Sequence, residues 1–155
     1  AQKFAGRREK LLLEPGRWLV GNAGLLLTRV EYLKPGEDKN FAIVDAAMND
    51  LMRPALYEAY HGIVAVNERN VPSQRYDIVG PICETGDFLG FARDLAIEEG
   101  DLLALLSAGA YGMSMASNYN SRPRAAEVLI EKNEIHLIHT RETIDGLMAG
   151  ERLVY

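Results

Sequence analysis

The sequence predicts a mainly β fold, largely antiparallel, with a few short helices. Three observations support this prediction. Short apolar or alternating segments recur along the 155 residues, glycine and proline separate them, and helical spacing of apolar residues is clear only near the carboxyl end. The hydrophobic content of 48% is enough for one core, and the chain is too short for two full domains.

The first apolar segment, residues 11–13, is a run of three leucines followed by Glu14, Pro15 and Gly16. An uninterrupted apolar run that ends in a turn is typical of a short strand buried on both faces, as in parallel sheets. No alternation of strands and helices surrounds this run, so the predicted strand has no partner within the sequence.

The next strands follow in order. Residues 25–33 alternate between two faces, which predicts a half-buried strand with Thr28, Val30 and Tyr32 on one side. Further strands are predicted at residues 41–45, 63–66, 76–79 and 101–106, and residues 127–130 and 135–138 are predicted to form a hairpin.

Two short helical segments are predicted. In residues 48–58, Asn49 or Asp50 is suited to cap a helical turn, and Pro54 restricts its interior. A closing helix is predicted near the carboxyl end, with Glu142 in its first turn.

Composition narrows the class of protein. There are 17 basic and 22 acidic residues, for a net charge of -5, and the basic residues are scattered, so a nucleic-acid partner is not expected. One cysteine excludes an internal disulfide framework and suits a reducing compartment. No apolar stretch reaches the length of a membrane span. We therefore expect a soluble cytoplasmic protein.

The single cysteine lies in residues 79–90, where glycine and proline recur too densely for a helix or a long strand. Cys83 is followed directly by Glu84. One interpretation is a buried cysteine that acts as a small hydrophobe, with Glu84 and Asp87 as solvated turn residues. The other is a reactive group, because an adjacent carboxylate favours the protonated thiol and so suits a proton donor better than a nucleophile.

Two arginines, a tyrosine and a glycine are further candidates for ligand binding. The planar guanidinium of Arg17 or Arg53 matches the two oxygens of a carboxylate, although each also fits an ordinary surface position. Tyr111 has small neighbours that leave room to reach a ligand, with a place in the core as the alternative. Gly16 allows a phosphate to approach the backbone, with a structural turn as the alternative. The three histidines have no metal-ligand spacing.

Five ordered motifs give the sequence a resemblance to a known family. They are Glu-Pro-Gly-Arg at 14–17, Met-Asn-Asp-Leu-Met-Arg-Pro-Ala-Leu-Tyr at 48–57, Cys-Glu-Thr-Gly-Asp at 83–87, Gly-Ala-Tyr-Gly at 109–112 and Ser-Asn-Tyr-Asn-Ser-Arg-Pro at 117–123. This series resembles the carboxy-terminal region of the diaminopimelate decarboxylase family, pyridoxal-phosphate enzymes of the alanine-racemase-like fold (fold type III, group IV). The resemblance covers nearly the whole chain.

The resemblance implies a division of the chain and a fold for each part. Residues 1–22 look like the end of an incomplete TIM-type β/α barrel, namely its last strand and loop. Residues 23–155 look like the carboxy-terminal β-domain, a Greek-key-like barrel or sandwich with a closing helix. The chain is thus expected to be the carboxy-terminal part of a longer protein.

The resemblance also implies an activity, the decarboxylation of meso-2,6-diaminopimelate to L-lysine and CO2, the last step of lysine biosynthesis. Cys83 corresponds to the residue that protonates the carbon left after CO2 departs. Glu84 corresponds to the residue that binds the distal amino group of the substrate. Related ornithine-type enzymes usually carry aspartate there, so Glu84 favours diaminopimelate.

The same resemblance gives roles to the other candidates. Arg17 and Arg53 are implied to bind substrate carboxylate, joined by the hydroxyl of Tyr57. Tyr111 is implied to touch both substrate and cofactor, and the cofactor site is implied to comprise Glu14, Pro15, Gly16 and Arg17 as well.

One necessary group is missing from the resemblance. The family binds its cofactor covalently through a lysine, and none of the five lysines stands in the family's lysine motif. The chain alone is therefore expected to be inactive and not to retain pyridoxal phosphate. In the family the Cys-Glu loop reaches the partner's site in a homodimer, which predicts an exposed apolar face here. Two alternatives stay open: a related ornithine-type or arginine-type decarboxylase, and a non-catalytic binding module.

Overall fold

The computed structural model describes residues 5–6 and 8–154. A curved six-stranded sheet forms the body of the molecule. Its strands are β1 (Leu26–Lys34), β2 (Asn40–Val44), β3 (Ile63–Ala65), β4 (Gln74–Val79), β5 (Phe88–Leu95) and β6 (Leu102–Leu105). The spatial order is β3-β6-β1-β2-β4-β5, and every neighbouring pair is antiparallel except β2 and β4.

The sheet curls until its two edge strands meet. A Cβ on Gly90 of β5 would lie only 2.9 Å from Ile63 Cδ1 of β3, so the absence of a side chain at Gly90 permits this approach. The result is a nearly closed barrel, which confirms the predicted mainly β, largely antiparallel class. Leu51, Ile78, Leu89, Leu103 and Leu105 are among the core residues with no exposed surface.

The alternation predicted for the first strand is largely confirmed. Thr28 and Val30 of β1 are buried, and Leu27 is 55% exposed. Tyr32 is exposed, contrary to its predicted side, because the register of β1 against β2 shifts between Val30 and Tyr32. β5 was not predicted, since Gly90 and the left-handed Ala92 (φ 51°) interrupt the pattern that marks a strand.

The predicted strand at residues 11–13 is wrong. Leu12 and Leu13 are 85% and 76% exposed, and the segment is irregular up to α1 (Gly16–Val20). A strand needs a hydrogen-bonded neighbour, and none of the described strands pairs with this segment.

The helix after β2 begins later than predicted. α2 (Arg53–Tyr57) follows Met52, with Pro54 at its start, where the missing N–H is tolerated. Neither Asn49 nor Asp50 caps it. Asn49 is fully buried and its amide donates to the Ser117 carbonyl oxygen (3.1 Å).

The carboxy-terminal hairpin is confirmed as β7 (Glu127–Glu131) and β8 (Glu134–His139), which form a separate two-stranded sheet. The closing helix α3 (Ile144–Leu147) is capped by Thr143, whose Oγ1 accepts from the Gly146 N–H (3.0 Å). Glu142 therefore lies before the helix rather than in its first turn.

The surface carries the exposed apolar residues that were expected. Trp18 is 89% exposed, and both faces of the β7–β8 hairpin present large aliphatic side chains to solvent, with Ile130 and Ile135 on one face and Leu129 on the other. In the described part of the chain, no helix has the length and apolar character needed to span a membrane.

Candidate functional site

A cleft of about 690 Å³ separates the segment before β1 from the loop after β6. Its walls bring together most of the predicted ligand-binding residues: Glu14, Pro15, Gly16, Arg17, Arg53 and Tyr111. These residues come from three separate motifs, so the fold assembles in space what the sequence shows only as spacing.

The segment that carries Arg17 is held against the sheet domain by close backbone packing. The Gly109 N–H donates to the Gly21 carbonyl oxygen (3.0 Å), and the Ala108 N–H donates to that of Gly24 (2.9 Å). A Cβ on Gly24 would lie 2.6 Å from Gly109 Cα, and a Cβ on Gly109 would collide with the Val20 carbonyl. Two glycines therefore allow this wall of the cleft to lie directly on the barrel.

Tyr111 has an unusual backbone conformation. Its φ is 59°, a left-handed value that is uncommon for an aromatic residue and that often marks functional loops. In this conformation the ring points toward α1. A Cβ on Gly16 would lie 3.9 Å from Tyr111 Oη. The tyrosine hydroxyl and the bare Gly16 backbone thus share one end of the cleft.

Arg53 lies beside two aromatic rings. Its Cζ is 5.6 Å from the ring centroid of Tyr111 and 5.8 Å from that of Tyr57, within the range of cation–π attraction. Tyr57 is 60% exposed on the last turn of α2. The predicted trio Arg53, Tyr57 and Tyr111 is therefore contiguous.

The charges of the two cleft arginines are not neutralised within the described residues. Neither Arg17 nor Arg53 has a carboxylate within 4 Å there, whereas Arg69, Arg75 and Arg124 each have one. Two guanidinium groups that face one cavity without acidic partners form a site for an anion, above all a carboxylate.

Six further residues of the cleft were not predicted as site residues, namely Trp18, Gly21, Asn22, Tyr60, His61 and Ser107. His61 is 3% exposed, and its Nδ1 lies 2.8 Å from the Leu106 carbonyl oxygen. Arg93 stacks on the Tyr60 ring, with Cζ 3.9 Å from the centroid. Nothing in the sequence distinguished Tyr60 and His61, because their place in the cleft depends on the turn between α2 and β3. Among the described residues, no group of three His, Cys, Asp or Glu could hold a metal ion.

The Cys83–Glu84 loop lies outside this cleft. Cys83 is exposed, so the interpretation of a buried cysteine is wrong. The solvated-turn interpretation is also wrong for Asp87, which is 3% exposed. Its carboxylate accepts from the N–H groups of Ile82 and Met48, both at 2.7 Å, and thereby closes the loop and ties it to the segment before α2.

Glu84 has one side-chain partner within the described residues. The hydroxyl of Tyr119 donates a hydrogen bond to Glu84 Oε1, and this bond raises the pKa of the Tyr119 phenol above its usual value. The remaining oxygen, Oε2, has no hydrogen bond there. The loop thus presents an exposed thiol beside a half-occupied carboxylate.

The fold and its two half-sites, namely the cleft and the Cys83–Glu84 loop, define a class of protein. Residues 17–109 match the family model described as pyridoxal-dependent decarboxylase, C-terminal sheet domain, and the chain belongs to this family.

The chain is similar over nearly its whole length to curated diaminopimelate decarboxylases. It is 68% identical over 151 residues to that of Neisseria meningitidis serogroup A, covering 97% of this chain and 37% of the relative. It is 61% identical over 153 residues to that of Pseudomonas aeruginosa, covering 99% of this chain and 37% of the relative. The chain therefore spans little more than a third of the length of these relatives.

Solved structures give the same picture. AQ1208 from Aquifex aeolicus superposes with a TM-score of 0.88 at 51% identity, covering 95% of this chain and 37% of that one. Diaminopimelate decarboxylase from M. jannaschii in complex with L-lysine gives a TM-score of 0.87 at 44% identity, covering 90% and 32%.

Proposed function

We propose that this chain is the carboxy-terminal part of a pyridoxal-phosphate-dependent carboxy-lyase that converts meso-2,6-diaminopimelate to L-lysine and CO2. The observation that carries the proposal is the convergence of Arg17, Arg53 and Tyr111 on one cleft, with no carboxylate of the described residues within 4 Å of either arginine. The names of the relatives support the choice of substrate. In this proposal, residues 1–22 end the barrel domain and residues 23–155 form the sheet domain.

The cleft is suited to a substrate with two carboxylates. A guanidinium group binds a carboxylate through two parallel hydrogen bonds, which fixes both its position and its plane. Arg17 enters the cleft from α1 and Arg53 from α2, and the exposed Tyr57 lies beside Arg53. In the proposal these three groups bind substrate carboxylate and orient the diacid.

The residues at the α1 end of the cleft fit pyridoxal phosphate. Gly16 has no side chain to block a phosphate, the hydroxyl of Tyr111 lies next to it, and Arg17 supplies positive charge. Glu14 and Pro15 complete this wall. When bound, the cofactor would supply the electron sink that stabilises negative charge at the carbon losing CO2.

Cys83 and Glu84 complete the chemistry in the cleft of a partner subunit. Both are exposed and neither lines the cleft of its own chain. In the proposed homodimer, the Cys83 thiol donates the proton to the carbon that has lost CO2. Glu84 binds the distal ammonium group, which both diaminopimelate and lysine carry. A cytoplasmic location is part of the proposal, because an exposed free thiol persists best in a reducing compartment.

The test is a chimera in which this chain replaces the matching 151 residues of the Neisseria meningitidis relative. The remaining part of the relative supplies the rest of the protein, including the lysine that binds the cofactor. We expect CO2 release from meso-diaminopimelate that depends on pyridoxal phosphate, and its loss in the double variant Arg17→Met, Arg53→Met. A folded chimera that binds the cofactor without releasing CO2 would refute the proposal.

The same assay separates the alternatives. If the chimera preferred ornithine or arginine to diaminopimelate, the chain would belong to an ornithine-type or arginine-type decarboxylase, and the role proposed for Glu84 would be wrong. A chimera that binds these amino acids but decarboxylates none would favour a non-catalytic binding module.

A further inference from the structure

The motif at residues 117–123 contacts the Cys83–Glu84 loop, although no role was predicted for it. Its third residue, Tyr119, donates the hydrogen bond to Glu84 Oε1. We infer that Tyr119 is a positioning residue for Glu84, which holds one carboxylate oxygen so that the other is presented to the distal ammonium group of the ligand. The inference rests on the proposed function for the identity of that ligand.

Tyr119 is held by anchors on both sides of it in the chain. On one side, the Ser117 N–H donates to the Asn49 carbonyl oxygen (3.0 Å), and the Asn49 amide donates back to the Ser117 carbonyl oxygen (3.1 Å). On the other side, Arg122 Nε donates to Asn49 Oδ1 (3.0 Å). One fully buried asparagine thus fixes both ends of the segment that carries the tyrosine.

Further contacts support the segment 117–122, called the Tyr119 arm. Arg122 Nη2 donates to the Asp45 carbonyl oxygen (2.6 Å) and lies 3.8 Å from the Asp50 carboxylate. Next to Tyr119, the Asn118 amide donates to Glu142 Oε2 (2.6 Å), and Glu142 is itself paired with Arg124 (2.5 Å). The backbone at 120 and 121 adopts left-handed φ values of 60° and 54°, which these anchors must maintain.

The Cys83–Glu84 loop is also fixed to the segment that contains Asn49. Asp87, at its end, accepts from the Met48 N–H (2.7 Å), which directly precedes Asn49. The segment 45–50 therefore carries both the loop with Glu84 and the arm with Tyr119. Their contact follows from one rigid support rather than from the chance meeting of two mobile loops.

The hydrogen bond suits a carboxylate that must recognise a cation. A free glutamate side chain loses rotamer freedom when it binds a ligand, and holding it beforehand reduces that cost. Tyr119 occupies Oε1, whereas Oε2 has no hydrogen bond among the described residues and is open to an ammonium group. The exposed position of Glu84 means that solvent competes for it unless its geometry is fixed.

The test compares Tyr119→Phe with the unmodified chimera and with Tyr32→Phe, a control on β1 that removes an exposed hydroxyl far along the chain from either half-site. Two ligands are used: meso-diaminopimelate, and 2-aminopimelate, which lacks only the distal amino group. For Tyr119→Phe we expect KM for diaminopimelate to rise about fivefold to tenfold, with kcat within about twofold. The inhibition constant of 2-aminopimelate should stay the same, and Tyr32→Phe should change neither value.

A positioning role and a merely structural role give different outcomes. Equal weakening of both ligands by Tyr119→Phe, or no change in either, would overturn the inference. An inactive chimera would count against the proposed function, and a second measurement then tests the contact itself. In NMR titrations of labelled tyrosine, Glu84→Gln should lower the pKa of Tyr119 toward its usual value, and an unchanged pKa would overturn the inference without reference to activity.

Discussion

Arg53→Met removes a positive charge from the cleft without breaking an ion pair among the described residues. In the chimera with the Neisseria meningitidis relative, we expect this substitution to weaken substrate recognition by more than it weakens stability. The reason is that the interactions of the Arg53 guanidinium found among the described residues are the two cation–π contacts with Tyr57 and Tyr111, whose ring centroids lie 5.8 and 5.6 Å from its Cζ.

The two effects can be estimated separately. Loss of two cation–π contacts at an accessible site costs about 1 to 2 kcal/mol of stability, which a folded domain tolerates. Loss of the hydrogen bonds to a bound carboxylate costs about 1.5 to 3 kcal/mol, which is a decrease of roughly 10-fold to 150-fold in kcat/KM at about 1.4 kcal/mol per factor of ten.

The assay is CO2 release from meso-diaminopimelate by the chimera, with thermal unfolding measured on the same samples. Arg75→Met is the matched control, because Arg75 pairs with the exposed Asp94 (3.2 Å) and does not line the cleft. The control should keep its kcat/KM. If Arg53→Met is folded and keeps kcat/KM within twofold of the unmodified chimera, Arg53 does not bind the substrate.

Three further predictions concern the half-sites and the fold. Cys83→Ala should lower kcat about 100-fold or more with little change in KM, the usual effect of removing a proton donor. Mixing its subunits with those of Arg53→Met should restore about a quarter of the original activity, because half of the dimers then contain one intact site and one defective site. If no activity is restored, the sites are not shared between subunits. Gly109→Ala should destabilise the domain by about 1 to 3 kcal/mol, since the added methyl group collides with the backbone of the segment before β1; an unchanged melting temperature would contradict that packing. Arg124 lowers the pKa of Glu142 from 4.5 to about 2, so this pair stabilises the fold above pH 4.5 and its contribution is lost as the pH falls toward 2. Glu142→Gln should flatten the pH dependence of the melting temperature in that window, and an unaltered profile would show that the pair contributes nothing.

Most strands could be predicted from the sequence because each has a local signature. Alternation revealed β1, and turn residues bounded the hairpin of β7 and β8. β5 escaped prediction because Gly90, needed for the approach to β3, removes the side chain that would have continued the pattern. Residues 11–13 show the reverse error, since an apolar run predicts burial and not the presence of a partner.

The candidate site was accessible to sequence reasoning only through motif identity. Spacing alone left Arg17, Arg53 and Tyr111 open to ordinary surface or core readings, and the cleft joins them because distant loops pack together. The buried hydrogen bond by which Asp87 accepts from the Met48 N–H could not be predicted, because the two residues lie 39 positions apart in the chain. His61 likewise reaches the cleft wall only through the turn that precedes β3.

Asn49 has no exposed surface and lies on neither half-site, yet both ends of the segment that carries Tyr119 depend on its amide and backbone. In the proposed enzyme, a substitution there would displace Tyr119 and so mimic damage to amine recognition while sparing both cleft arginines. Inherited or engineered changes at this hidden position would thus be mistaken for active-site lesions by any screen that records turnover alone.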